Sequence, residues 1–137
     1  MTLVIPQASS MKFLADMLDE DFVLHLFKVD YHPTVLDTAA TFAAMEADFS
    51  GYSSVTLSKS GWSAPAIDGV SGAAIVTYPV QTWTCGAIGN LIYGYYITGV
   101  TSGLLRWVER LPEPLTMDTT DEISVTPELT FFSRRAT

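Results

Sequence analysis

The sequence predicts a mainly β protein: an antiparallel β-sandwich or small barrel, jelly-roll-like, of about seven or eight strands. A short N-terminal helix and an extended N-terminal arm precede the β part. Three observations predict this. From Gly51 onward, short runs rich in Val, Thr, Ile and aromatics are separated by Gly, Asn, Asp and Pro. Turn signals recur at the spacing of a sandwich. Helical periodicity is confined to the first half, at Met11, Leu14, Ala15 and Leu18 and again over the alanine-rich "TAATFAAME". The organisation expected is an arm and amphipathic helix over residues 1–20 and one β-sandwich domain over 21–137.

Taken in order, "TLVI" before Pro6 is extended and apolar. A serine, Ser9 or Ser10, caps a helix of two to three turns. Its apolar stripe, widened by Phe13 and Met17, needs a partner surface, because so short a helix is marginal alone. "FVLHLF" is a strand with Leu24 and Leu26 toward the core, ended near Pro33. Asp37 caps a short helix over "TAATFAAME". Strands follow over Tyr52–Ser58, around Trp62, and over Gly72–Tyr78 and Val80–Cys85, with Asp68-Gly69 a turn and Pro79 a break. Leu91–Thr98 and Leu104–Leu111 form a hairpin about "GVTSG". Leu91, Tyr93, Tyr95 and Ile97 share one face; Ile92, Gly94, Tyr96 and Thr98 share the other. In the second strand Leu105, Trp107 and Glu109 share one face and Leu104, Arg106, Val108 and Arg110 the other, and the paired strands bring aromatic and branched residues into cross-strand contact. "LPEPL" reads as a proline-rich loop, and Ile123, Val125, Leu129 and Phe131 alternate along one last strand.

The chain has 137 residues, 48% hydrophobic and 16% charged, which fits one small folded domain rather than disorder. Fifteen acidic residues against seven basic ones give a formal charge of -8. Such a surface repels phosphate backbones, so no nucleic-acid partner is expected. The longest apolar span, Leu91 to Leu105, is broken by Gly and Thr and is too short for a membrane helix, so no membrane partner is expected either. "MTLVIPQASS" lacks the pattern of a signal peptide, and a soluble protein made in the cytoplasm is expected. A single cysteine, Cys85, in apolar surroundings reads as structural.

Little in the sequence points to catalysis. His25 and His32 lack metal-ligand spacing, and no nucleophile-elbow, HExxH, phosphate-loop or dinucleotide motif is present. No catalytic residue, metal or cofactor is expected. Asp16, Asp19, Glu20 and Asp21 read as a solvated turn, the alternative being a docking patch or weak calcium site. Glu109 is expected in a cross-strand ion pair. Tyr93, Tyr95, Tyr96 and Trp107 could stack sugars, though alternation accounts for them as core and interface.

Six fragments, in order, carry a resemblance to a group of small virion proteins of tailed bacteriophages. They are "LHLFK" at Leu24–Lys28, "FSGY" at Phe49–Tyr52, "SGW" at Ser60–Trp62, "IYGYYIT" at Ile92–Thr98, "LLRWVER" at Leu104–Arg110 and "DEISVTPELTF" at Asp121–Phe131. The resemblance spans roughly residues 10–132 and implies a structural protein of the virion, assembled in the host cytoplasm and not an enzyme. The role it suggests first is a capsid decoration or cement protein that binds the major capsid protein and stabilises the head. The alternatives are a tail, fibre or head–tail connector component and, in another class, a carbohydrate-binding β-sandwich module. A decoration protein needs a stiff β body, a soluble outer face and an arm or helix that clamps a neighbour. The expected partner interface is therefore Leu3, Val4, Ile5, Met11, Leu14 and Leu18 on the arm and helix, with Tyr96 and Trp107 on the hairpin. A homo-oligomer, trimer or dimer, is expected from the residual aromatic face.

Overall fold

The computed structural model describes residues 4–87 and 89–131. In chain order the elements are α1 (Gln7–Met17), β1 (Phe22–Phe27), α2 (Ala39–Ala43), β2 (Val55–Leu57), β3 (Ala66–Ile67), β4 (Ala74–Thr77), β5 (Gln81–Thr84), β6 (Leu91–Gly99), β7 (Leu105–Thr116), β8 (Glu122–Val125) and β9 (Glu128–Phe131). The mainly β class with a short N-terminal helix is the one the chain adopts, and its strand pairs are antiparallel. The described residues divide into two compact units. One comprises residues 4–19, 58–80 and 126–131; the other comprises Glu20–Leu57 and Gln81–Val125.

In the first unit the sheet order is β3-β4-β9, and α1 packs on it. The helix begins at Gln7, ahead of the expected serine cap. Pro6 stands at the N-cap, and the buried Ser10 hydroxyl donates back to the Pro6 carbonyl at 3.3 Å. Leu14 and Leu18 are buried and Phe13 meets Phe131 at 5.7 Å. Trp62 lies outside any strand, following a 3-10 turn over Lys59–Gly61, and packs edge-on to Tyr78 at 5.3 Å. The Asp68 carboxylate accepts from the Ser71 N–H and hydroxyl, which closes the expected turn.

The second unit holds a four-stranded sheet, β2-β1-β6-β7, and the pair β5-β8. Both faces of β1 are covered, so the simple alternation expected for it is only half the pattern: Phe22, Leu24, Leu26 and also Phe27 are fully buried. The second face is covered by α2, whose Phe42 joins Phe27 and Tyr96 in one cluster with Tyr31, Met45, Tyr93, Leu105 and Val108 against it. The backbone closes this excursion: Lys28 N–H donates to Met45 O and Ala47 N–H to Leu26 O, both at 2.9 Å. Thr38 rather than Asp37 stands at the α2 N-cap, with its N–H donating to Thr41 Oγ1 at 3.1 Å.

The β6–β7 hairpin forms, with Tyr95 opposite Glu109, Tyr96 opposite Val108 and Ile97 opposite Trp107, but a register shift beside Thr98 overturns the expected faces of β7: Leu105 joins Val108 against the Phe42 cluster, and Arg106 joins Trp107 at Phe22. Two expectations fail at prolines. The "LPEPL" segment is no loop: β7 continues to Thr116 through a wide bulge between Arg110 and Leu115, tolerated because an edge strand does not need every N–H in a ladder. The single last strand is two. Pro127 has no N–H to donate, and β8 and β9 pair with β5 and β4, one in each unit.

Candidate functional site

Four consecutive residues of β7, Leu105 to Val108, and Pro33, Thr34, Val35 and Asp37 line an open slot of about 320 Å³. The register shifts beside Thr98, so Leu105 and Val108 lie on one face, against the Phe42 cluster, and Arg106 and Trp107 on the other, against Phe22; a wall that draws on both faces runs along the strand's edge. β7 is the outermost strand of its sheet. The opposite wall is stiff for a loop. The Asp37 carboxylate accepts from the Tyr31 hydroxyl at 2.6 Å and the Thr34 N–H at 2.7 Å, and Arg110 donates to the Tyr31 carbonyl at 2.6 Å. The Tyr31 hydroxyl, and then the Thr34 N–H, hold the Asp37 carboxyl below its ordinary range, so this wall is anionic. Val35, in the lining, is fully exposed, and its chain neighbour Leu36 and Leu104, next to Leu105, are 86% and 62% exposed.

A second constellation holds the slot's loop to the sheet. His25 Nδ1 lies 2.6 Å from Glu46 Oε1 and Nε2 lies 3.0 Å from Thr98 Oγ1, with the ring stacked on Tyr96 at 4.4 Å. The Tyr96 hydroxyl donates to the same carboxylate oxygen at 3.2 Å. Burial first, then the Glu46 charge, raises the Tyr96 hydroxyl far above its ordinary range, so it remains a donor. A hydroxyl, an imidazole and a carboxylate in line have the form of a nucleophilic relay. The neighbouring donors are already spent, however: the N–H of Gly99 bonds Leu104 O and that of Val100 bonds Asp21 O, both at 2.9 Å. The line works as a polar tie between β1, β6 and the segment after α2.

The third feature is Glu20, read in the sequence as part of a solvated acidic turn. It closes the hairpin instead. Its carboxylate accepts from the N–H groups of Thr101 and Ser102 at 2.8 and 2.9 Å and pairs with Arg106 at 2.6 Å, close over Gly99, where any Cβ would collide with it. The Ser102 backbone N–H and hydroxyl, then Thr101 and Arg106, hold its carboxyl at about 2 against an ordinary 4.5. A depressed carboxyl stabilises fully above the unfolded value and loses that contribution as pH falls through the folded one. Thermal midpoints of wild type and Glu20→Gln should therefore differ most above pH 4.5 and converge toward about pH 2. A constant difference across that window, measured by circular dichroism, would rule out this role.

The residues expected to meet a partner divide. Leu14, Leu18 and Tyr96 are buried within their own units and are corrected to core: the helix stripe found its partner surface in β4 and β9, and Tyr96 in Phe42. Met11 and Ile5 are half-buried, Val4 is exposed, and Leu3 lies outside the described residues. Trp107 is half-buried, edge-on to Phe22 at 5.4 Å, and lines the slot. Tyr95 is also buried, and Tyr93 lies under Arg110, so these rings do not form a flat sugar-stacking platform. Glu109 accepts from the Tyr95 hydroxyl at 2.5 Å, a cross-strand partner but not the expected cation. Val35 and Leu36 were missed. The available signal was two adjacent aliphatic residues in a Pro/Thr/Asp loop that no helix stripe claims. The chain matches no protein-family model, no curated protein and no solved structure.

Proposed function

We propose that this chain is a structural protein of a tailed-bacteriophage particle, and within it a decoration protein that binds the major capsid protein. The resemblance of six ordered fragments supports the class. The observation that carries a binding role is the slot beside β7. An acidic molecule of charge -8 leaves Val35 of a formed groove in water, with Leu36 and Leu104 exposed next to lining residues in the chain, and burial of such side chains by another protein would be favourable. The acidic remainder keeps the free chain soluble. A tail, fibre or connector role uses the same surface chemistry and differs in stoichiometry.

Self-association as a dimer or trimer at a symmetry axis belongs to the proposal and requires a surface other than the slot. The test is the copy number of the chain in purified particles, with location by particle reconstruction. Symmetric shell sites predict copies on the order of hundreds. A few copies at one vertex would move the assignment to the tail or connector, and absence from particles would end it.

A further inference from the structure

We infer that the slot takes an extended segment of another protein, alternating apolar and basic residues and laid along β7; this rests on the binding role proposed above and names the partner's chemistry. Shape sets the first half. The slot follows a strand edge for four residues, about 13 Å at 3.3 Å per residue, the geometry by which a peptide in β conformation adds to a sheet. Its apolar lining provides for the alternate side chains of such a segment.

Charge sets the second half. Two of the residues that line the slot are charged, Asp37 and Arg106. The Arg106 guanidinium lies 2.6 Å from the Glu20 carboxylate. With Arg106 closed on Glu20, the carboxylate of Asp37, held by a hydroxyl and an N–H, is the lining charge an occupant meets, on a chain of charge -8. A second copy would bring the same -8 to that slot and is disfavoured there.

The probe is an octapeptide alternating Lys and Val, with a Glu/Val octapeptide as its opposite, titrated into the full chain while amide shifts are followed by NMR. The Lys/Val peptide should shift the amides of 33–37 and 105–108, with an affinity that weakens as salt rises, and the Glu/Val peptide should not. Val35→Lys changes a fully exposed position, leaves the fold intact, and should weaken the Lys/Val peptide about tenfold or more. Equal binding of the two peptides, shifts centred elsewhere, or a concentration-dependent dimer that Val35→Lys abolishes would each overturn the inference. Particle loading separates the levels. A Val35→Lys chain that loads at wild-type copy number sinks the slot and leaves the function standing; a wild-type chain that never loads sinks the function.

Discussion

Replacing Phe42 by alanine should cost the second unit about 3–5 kcal/mol, the range for deleting a fully buried phenylalanine ring. Phe42 has no exposed surface. Its ring meets Phe27 edge-on at 5.3 Å, Tyr31 edge-on at 5.7 Å and Tyr96 tilted at 5.2 Å. The helix that carries it is five residues long, far too short to stand without tertiary packing. Removing the ring thus takes away both a core filling and the apolar anchor of residues 28–46. The polar tie at Glu46 and the Arg110 contacts remain, so the loop should loosen rather than detach. Because residues 33–37 form one wall of the slot, the same variant should bind a slot ligand more weakly even where the unit stays folded. Urea unfolding followed by tyrosine and tryptophan fluorescence measures the first effect. A loss under about 1 kcal/mol would mean the ring is not the anchor.

The difference between what was legible and what was not follows the range of the interaction. The β6–β7 hairpin could be read because its strands and the Gly-containing turn are neighbours in the chain, whereas the register shift that re-aims Leu105 and Arg106 left no mark in the alternation. Helix α1 was legible in its stripe but not in its destination. A stripe states that Leu14 and Leu18 need covering, and it cannot say whether β4 and β9 or another protein covers them. The burial of Tyr96 depends on Phe42, more than fifty residues earlier in the chain, and the Glu46 tie on His25 and Tyr96 from two other strands. The slot is of the same kind: its walls are some seventy residues apart and neither is distinctive alone. Prolines caused two of the local errors. Pro112 and Pro114 sit in a bulged edge strand, and Pro127 divides an alternating run whose two halves serve different sheets. Glu20 was hidden because a carboxylate in an acidic run gives no sign that two N–H groups of a distant turn point at it.

Gly94→Ala should cost about 3 kcal/mol, the upper part of the range for overpacking a core. Gly94 is buried in the middle of β6, where a glycine ordinarily weakens a strand. Its neighbours explain it. Phe27 stands directly across on β1, and a Cβ at Gly94 would lie 2.7 and 2.8 Å from that ring while colliding with the Glu109 carbonyl of β7. The ring is wholly buried against Phe42 and has no empty side to retreat to. The carbonyl belongs to the strand just ahead of the bulge at 111–114, so relief through the backbone would shift β7 and with it the slot's edge wall. The two clashes can be separated. In a double-mutant cycle with Phe27→Leu, the ring's share should disappear and the carbonyl's share remain, giving a coupling of at least about 1 kcal/mol. Full additivity would show that the ring yields freely. A Gly94→Ala chain within 0.5 kcal/mol of wild type would show that neither the ring nor the strand edge is held where the packing requires.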